Sequence, residues 1–283
     1  MDLPSMPRLG PSYRAAALGA LRRSRPAAIP DVELRLADTS IDVGHLAAYG
    51  RVCGFRLTNE VPATYPHVLA FPLAMALMTR RDFPFPLLGL VHVANRIETL
   101  APLRVTDRPA LRVRAAALGP HPLGRQLDVV TEASLDGECV WREHSTYLHR
   151  GEKTEKPGST PTTPSGGTAK WTVPASVGRR YAKISGDRNP IHTSRLGARL
   201  FGFPRRIAHG MWSAARCLAA LEGRLPDGAT IELRFQRPLL LPGTAAFTST
   251  PAGSGWSLTL ADATTGRPHV TGTVRASSSA PHG

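Results

Sequence analysis

Two long apolar segments with helical spacing stand out, one in each half of the chain. Residues 67–81 (HVLAFPLAMALMTRR) and residues 207–223 (IAHGMWSAARCLAALEG) each predict a buried helix, and the second ends at a glycine. Each is followed by segments that alternate apolar and polar residues or are rich in β-formers, with Gly and Pro between them. The predicted strands are residues 89–105, 110–118, 126–135 and 139–150 in the first half, and 230–243, 244–252, 256–263 and 269–277 in the second.

The segment between these two halves has no periodic hydrophobicity. Residues 151–169 (GEKTEKPGSTPTTPSGGTA) are rich in Pro, Gly, Thr and Ser, which predicts a linker. The first residues of the chain are rich in Pro and Arg and predict a lead-in. We therefore divide the chain into a lead-in (1–38), an N-terminal domain (39–150), the linker (151–169) and a C-terminal domain (170–283).

The two halves also resemble each other residue by residue. YGRVCGF at 49–55 matches YAKISGD at 181–187, and YPHVLAFP at 65–72 matches FPRRIAHG at 203–210. Two matched segments in the same order indicate an internal duplication rather than chance similarity of short segments.

The duplication provides an internal control for function. Asp187 corresponds to Phe55, and Gly210, which has a backbone N–H, corresponds to Pro72, which has none. The second half thus retains groups suited to acid–base chemistry that the first half lacks. Because Pro72 removes a donor at the corresponding helix start, we expect the first helix to be shortened or distorted there.

Composition narrows the class of protein. The 283 residues are 42% hydrophobic and 20% charged, which suits folded domains, and no apolar run is long enough to cross a bilayer. The three cysteines (Cys53, Cys139 and Cys217) are scattered and form no C-x-x-C pair. This argues against a disulfide framework and a structural zinc site, and it predicts a cytoplasmic protein.

The net charge of +14 leaves two interpretations open. Only four of the 35 basic residues are lysines, and the arginines are spread along the chain. One interpretation is a solvated basic surface; the other is attraction to a polyanion, such as nucleic acid, a phosphate-bearing cofactor or an acidic carrier protein. No helix-turn-helix, zinc-finger or RNP-like pattern supports nucleic acid as the partner.

The chemistry concentrates in residues 185–192, SGDRNPIH. They place an acid, an amide, a rigid proline and an imidazole within a short turn, followed downstream by IAHGM at 207–211. These two motifs resemble the signature of the MaoC-like (R)-specific enoyl-CoA hydratases and 3-hydroxyacyl-thioester dehydratases. The resemblance covers residues 170–283, and residues 40–150 look like the degenerate N-terminal half of the double-hot-dog members.

The resemblance implies an α+β fold, a double hot-dog. In it, two antiparallel sheets each wrap a long helix and are arranged as a pseudo-dimer. It also implies the reversible hydration of trans-2-enoyl thioesters to (3R)-3-hydroxyacyl thioesters. In such a reaction Asp187 and His192 share one water as an acid–base pair, and the Gly210 N–H stabilises the thioester oxyanion. The supporting or substrate-binding residues expected from it are Ser185, Asn189, Pro190, His209 and His92.

No metal or other cofactor is expected, because His192 and His209 lack the close sequence spacing of metal-ligand pairs. The expected partner is an acyl-CoA or acyl carrier protein thioester, and one chain supplies both hot dogs, so a monomer suffices and a homodimer is possible.

Two alternatives stay open: a hot-dog thioesterase and a non-catalytic protein that binds acyl groups or polyanions. The arginines that can steer a phosphopantetheine carrier are Arg195, Arg205, Arg206 and Arg237, each of which is also compatible with a solvated surface charge.

Overall fold

The computed structural model describes residues 1–20, 24–151 and 168–277. Its first part contains helices packed against antiparallel strands. The helices are α1 (Leu9–Ala20), α2 (Val43–Cys53) and α3 (Tyr65–Met78). The strands are β1 (Glu33–Leu36), β2 (Leu90–Thr99), β3 (Ala110–His121), β4 (Gly124–Leu135) and β5 (Glu138–Arg150).

The second part has a similar order of elements. Its helices are α4 (Val177–Ser185), α5 (Pro190–Thr193), α6 (Arg195–Leu200) and α7 (Gly210–Ala219). Its strands are β6 (Thr168–Val173), β7 (Ala229–Phe235), β8 (Gly243–Ala252), β9 (Gly255–Asp262) and β10 (Pro268–Ala276). The two predicted central helices (α3 and α7) and all eight predicted strands are confirmed, with shifted boundaries.

All ten strands form one antiparallel sheet in the order β1-β3-β4-β5-β2-β7-β10-β9-β8-β6. The first five belong to the first half and the last five to the second. They meet where β2 pairs with β7, from Ala94 opposite Arg234 to Thr99 opposite Ala229. The two predicted sheets are thus joined edge to edge, because each half offers an open strand whose backbone groups need partners. The predicted double hot-dog is confirmed, except that its two sheets are continuous with each other.

The duplication is visible in the equivalent helices α2 and α4. Each ends at a glycine in the left-handed conformation, Gly54 (φ 92°) and Gly186 (φ 78°). The matched tyrosines of these helices, Tyr49 and Tyr181, are both buried, and their ring centroids lie 6.3 Å apart. The two halves therefore contact each other through equivalent residues.

The expectation about Pro72 is wrong. Helix α3 begins at Tyr65, so Pro72 lies inside it rather than at its start, whereas α7 begins at Gly210. The residues before Gly210 stay extended because they pair with another segment: the Ala208 N–H donates to the Leu239 carbonyl at 2.8 Å. The matched segment of the first half is helical instead.

The predicted lead-in (1–38) contains ordered elements. It includes α1 and also β1, which pairs with β3 at one edge of the sheet. Most of the predicted linker (151–169) lies outside the described residues, and residues 168 and 169 belong to β6. In the described part of the chain, none of the helices has the length and apolarity needed to cross a membrane.

Candidate active site

The loop that carries the predicted acid begins at Gly186, where α4 ends. The Gly186 N–H donates to the Ala182 carbonyl at 3.1 Å, and its φ of 78° is a conformation that glycine adopts without strain. A Cβ atom at this position would lie 2.5 Å from Cδ1 of Leu9 in α1. Glycine is therefore required here both for the turn and for the close approach of α1.

Side chains of the loop itself fix its shape. Ser185 Oγ accepts from the Asp187 N–H at 3.2 Å, and Asp187 Oδ1 accepts from the Asn189 N–H at 3.1 Å. Asn189 caps the short helix α5 through the Ile191 N–H at 3.3 Å, and Pro190 fills the first helical position, where no N–H is needed. This arrangement directs the next side chain of interest, that of His192, into the interior.

His192 is buried and has a defined tautomer. Its Nδ1 lies 2.9 Å from the Ile207 carbonyl oxygen, which can only accept, so Nδ1 carries the proton. Its Nε2 consequently bears a lone pair, 3.9 Å from Oδ2 of Asp187. That separation is too long for a direct hydrogen bond, yet one water can bond to both atoms.

His209 completes the cluster, although many residues separate it from His192 in sequence. Its ring stacks on that of His192 with the centroids 3.7 Å apart, and its Nε2 donates to the Asp187 backbone carbonyl at 2.9 Å. The ring is buried and also lies 4.9 Å from that of Tyr181. His209 thus holds the backbone of the acid in place.

Burial and neighbouring charges set the protonation states of the cluster. Burial lowers the pKa of His192 more than Asp187 and the Ile207 carbonyl raise it, so the net shift is downward. Burial, followed by the neighbouring His192, lowers the pKa of His209 to about 3. Burial alone would raise the pKa of Asp187, but His209, His192 and the Asn189 N–H together hold it below its usual value. Near neutral pH the site therefore has a carboxylate beside two neutral imidazoles.

Gly210, the predicted oxyanion donor, is the first residue of α7. The preceding residue, His209, makes no side-chain cap at this helix start, and none of the described residues accepts from the Gly210 N–H. A Cβ atom on Gly210 would lie 3.2 Å from the ring of Phe235, so a larger residue would crowd this position. The N–H is left free for a ligand oxygen, with the helix dipole behind it.

Asp187, His192 and His209 bring potential metal ligands within 4.8 Å of one another, closer than their sequence spacing indicated. Their orientation nevertheless does not suit a metal. His209 Nε2 donates its proton to the Asp187 carbonyl. That nitrogen therefore has no lone pair for a metal while this hydrogen bond is kept. The geometry fits a hydrogen-bonded water better than a metal ion.

Tyr13 also belongs to this site, although no sequence motif indicates it. Its hydroxyl donates to the Gly186 carbonyl at 2.6 Å and accepts from the Arg188 N–H at 2.6 Å. These two hydrogen bonds hold the backbone on both sides of Asp187 in place. Because Tyr13 lies in the predicted lead-in, only the long-range contact in the folded chain reveals it.

His92, expected near the substrate, lies in β2 at the junction of the halves. Its ring is 4.8 Å from that of Tyr147 and 4.8 Å from that of Phe235, which borders Gly210. Burial lowers the pKa of His92 to about 3. Behind it lies a polar pair that the sequence did not indicate, His67 and Glu143.

Comparisons with known proteins show the family and the fold of the chain. Residues 152–257 match the family model described as a MaoC like domain. The chain is 42% identical over 267 residues to 3-hydroxyacyl-thioester dehydratase X of Mycobacterium tuberculosis, covering 92% of this chain and 95% of that protein. It is 38% identical over 77 residues to the (R)-specific enoyl-CoA hydratase of Rhodospirillum rubrum, covering 26% of this chain and 54% of that one. The crystal structure of HtdX from Mycobacterium tuberculosis superimposes with a TM-score of 0.79 at 40% identity, covering 87% of this chain and 100% of that one.

Proposed function

The chain belongs to the MaoC-like dehydratases, and on that basis we propose that Asp187 and His192 perform its chemistry. The reaction is the reversible hydration of trans-2-enoyl thioesters to (3R)-3-hydroxyacyl thioesters. The observation that carries the assignment is the convergence of the Asp187 carboxylate and the unprotonated His192 Nε2 beside the start of α7.

His192 acts as the base in the hydration direction. Its Nε2 lone pair takes a proton from a water that the Asp187 carboxylate orients, and the water oxygen bonds to C3 of the substrate. The electrons of the C2–C3 double bond move towards the thioester oxygen. C2 then takes a proton back from the His192–Asp187 pair, which restores the starting state. Dehydration follows the same steps in reverse.

Gly210 stabilises the negative charge that develops on the thioester oxygen. Its free N–H at the helix start supplies a hydrogen bond and the positive end of the helix dipole. Ser185, Asn189, Pro190 and His209 act on this reaction only by fixing the loop and the Asp187 backbone.

The chemistry lies in the C-terminal domain (170–283), and the N-terminal domain (39–150) shapes the substrate side, because the latter has Phe55 and Pro72 at the equivalent positions. One chain contains both halves, so a monomer suffices and a homodimer is not required.

The substrate carrier is coenzyme A or an acyl carrier protein, both anionic and suited to the net charge of +14. The three cysteines are unpaired thiols, which supports the cytoplasm as the compartment.

An absorbance assay of trans-2-enoyl-CoA hydration at several chain lengths, with chiral analysis of the product, tests this function. We expect loss of the enoyl absorbance and a (3R)-3-hydroxyacyl product. Release of free thiol without hydration would identify a hot-dog thioesterase instead. Binding of enoyl-CoA without turnover would identify a non-catalytic acyl-binding protein.

A further inference from the structure

The first half contains a buried ion pair that the catalytic chemistry does not use. His67 Nδ1 of α3 donates to Glu143 Oε2 of β5 at 2.8 Å, and the two side chains are only 12% and 1% exposed. Asn95 of β2 donates to the same carboxylate at 2.7 Å. A carboxylate and a histidine are thus held together between a helix and the sheet.

The contacts of the pair favour its ionised form despite its burial. Burial alone would lower the pKa of His67, but Glu143 raises it by more, so the net shift is upward. Burial likewise works against ionised Glu143, whose pKa is nevertheless lowered because His67 and Asn95 stabilise the carboxylate. Such a pair adds little stability compared with packed apolar side chains, so its presence suggests a role beyond folding.

One edge of the His67 ring is free. Nδ1 is bound to Glu143, and none of the described residues accepts from Nε2. Because Glu143 is almost fully enclosed, the exposed part of His67 is the edge opposite to it. In its protonated form, which Glu143 favours, the imidazole presents one unused N–H donor at Nε2.

On one side, this ring is connected to the catalytic loop through an aromatic neighbour. The ring centroid of Phe71 lies 6.4 Å from that of His67. A Cβ atom at Gly186, next to the catalytic acid, would lie 3.4 Å from the Phe71 ring. His67 is therefore one side chain removed from the loop.

On the other side, it is connected to the start of α7. The His67 ring stacks 6.2 Å from that of His92, which in turn lies 4.8 Å from the ring of Phe235 beside Gly210. His92 Nε2 is buried and has no hydrogen-bond partner. Two unpartnered polar atoms thus lie among the aromatic side chains that connect the two catalytic elements.

We propose that His67 forms a subsite of the active site, in which its Nε2–H binds an oxygen acceptor of the substrate away from the reacting carbons. This proposal rests on the proposed function. The acceptor is a neutral or anionic oxygen, either a substituent of the acyl chain or an amide carbonyl of the pantetheine arm. Fully hydrocarbon chains leave the charged donor without a partner, and they are the poorer substrates if the acceptor lies in the acyl chain.

The test compares kcat/KM for pairs of trans-2-enoyl thioesters of equal length, with and without a hydroxyl or keto oxygen beyond C4. Each acyl group is supplied on coenzyme A and on N-acetylcysteamine, which lacks most of the pantetheine arm. The variants are His67→Gln, which keeps a donor, and His67→Phe/Glu143→Gln, which removes both the donor and the buried charge. His144→Phe, on the neighbouring residue of β5 and bonded to neither partner, is the control.

If the acceptor lies in the acyl chain, the wild type and His144→Phe should prefer the oxygen-bearing substrate by roughly 10-fold or more, as for a hydrogen bond to a charged group, and His67→Gln should keep a smaller preference through its neutral amide donor. The double variant should lose it. A preference for acyl oxygen on both carriers places the acceptor in the acyl chain, whereas a loss of kcat/KM confined to coenzyme A thioesters places it at the pantetheine amide that N-acetylcysteamine lacks. The subsite proposal would be overturned if the active double variant showed the same ratios of kcat/KM between the paired substrates, and between the two carriers, as the wild type. Absence of hydration in the wild type would instead overturn the proposed function.

A separate observation supports a second proposal, that Tyr13 is a positioning residue for Asp187. Its single hydroxyl bonds to the peptide groups on both sides of that residue, at 2.6 Å each. Rotation of the Asp187 backbone would break one bond or the other. Helix α1 therefore holds the backbone on both sides of Asp187 from a segment outside the residues that match the family model.

Tyr13→Phe removes only the hydroxyl. We expect kcat to fall roughly 10- to 100-fold with KM changed less than about threefold, as for a small displacement of a catalytic group. Hydrogen exchange of the Arg188 amide should quicken, because its acceptor is lost. Leu18→Ala, at an exposed position of the same helix, should change neither quantity. Wild-type kcat in folded Tyr13→Phe, or an unchanged exchange rate at Arg188, would overturn the proposal.

Discussion

The Nδ1 atom of His192 donates a hydrogen bond to the backbone carbonyl of Ile207 over 2.9 Å. A carbonyl oxygen has no proton to give, so this contact fixes the tautomer and leaves the lone pair on Nε2. Ile207 is held in turn by its own N–H, which donates to the Ile191 carbonyl at 3.1 Å. The base is therefore oriented before substrate binds.

The protonation states predict the pH dependence of hydration. The base must be neutral, and burial lowers the pKa of His192 below its usual 6.5. Activity is lost as the pH falls through that lowered pKa, so kcat/KM for enoyl-CoA should still be above half of its maximum at pH 6.5. A profile of kcat/KM against pH checks this; an acid limb centred above pH 6.5 would contradict it.

The variant Asp187→Asn tests whether the carboxylate of Asp187 affects the acid limb of the profile of kcat/KM against pH. Asp187 raises the pKa of His192, and the amide removes this effect without changing the shape of the side chain. The residual activity of Asp187→Asn should therefore have its acid limb at lower pH than the wild type. An unchanged limb would mean that the two groups do not interact.

His209 should make the fold sensitive to acid. Its pKa is about 3 in the folded chain, so between about pH 6.5 and 3 the unfolded chain binds a proton that the folded chain does not. Stability from this residue is present above that window and is lost as the pH falls. His209→Phe, which introduces the residue found at the matched position 71, removes the effect.

Urea unfolding at pH 7, 6 and 5 measures this contribution. The free energy of unfolding should decline less steeply with acid in His209→Phe, by up to about 1.4 kcal/mol per pH unit for one proton. Identical slopes in the two proteins would show that His209 is already protonated in the folded chain or not buried as described.

The basic surface predicts a salt effect on binding. With a net charge of +14, the chain attracts the phosphates of coenzyme A or an acidic carrier protein, and salt screens that attraction. KM for enoyl-CoA should rise between low and physiological salt, whereas KM for the N-acetylcysteamine thioester should change little. Salt-sensitive binding to duplex DNA in a chain without hydratase activity would favour the polyanion-binding alternative.

Sequence patterns predicted the central helices, most of the strands and the loop motif, because these depend on local features, whereas the double hot-dog and the roles of the motif's residues were implied by the family resemblance. The eight predicted strands and two central helices follow from periodicity, and the loop motif already contains Asp187, Asn189 and His192. Their helix and turn contacts, such as the Asn189 cap on α5, are formed within a few residues. Local sequence is sufficient for such contacts.

The remaining features depend on contacts between distant segments. Tyr13 reaches Gly186 across most of the chain, and His67 meets Glu143 only when α3 packs on β5. Pro72 was misplaced because matched segments of a duplication can adopt different structures. Its counterpart is preceded by an extended segment that pairs elsewhere in the second half.

The central claim is that Asp187 and His192 act on one water as a unit. Hydration rates of Asp187→Asn, His192→Ala and the double variant test it most directly, with circular dichroism confirming the fold. Each single variant should lose roughly 10²–10⁴-fold in kcat. The double variant should lose little more than the worse single one, because groups that act together are not additive. Near-normal turnover in either folded single variant, or losses that multiply in the double variant, would contradict the claim.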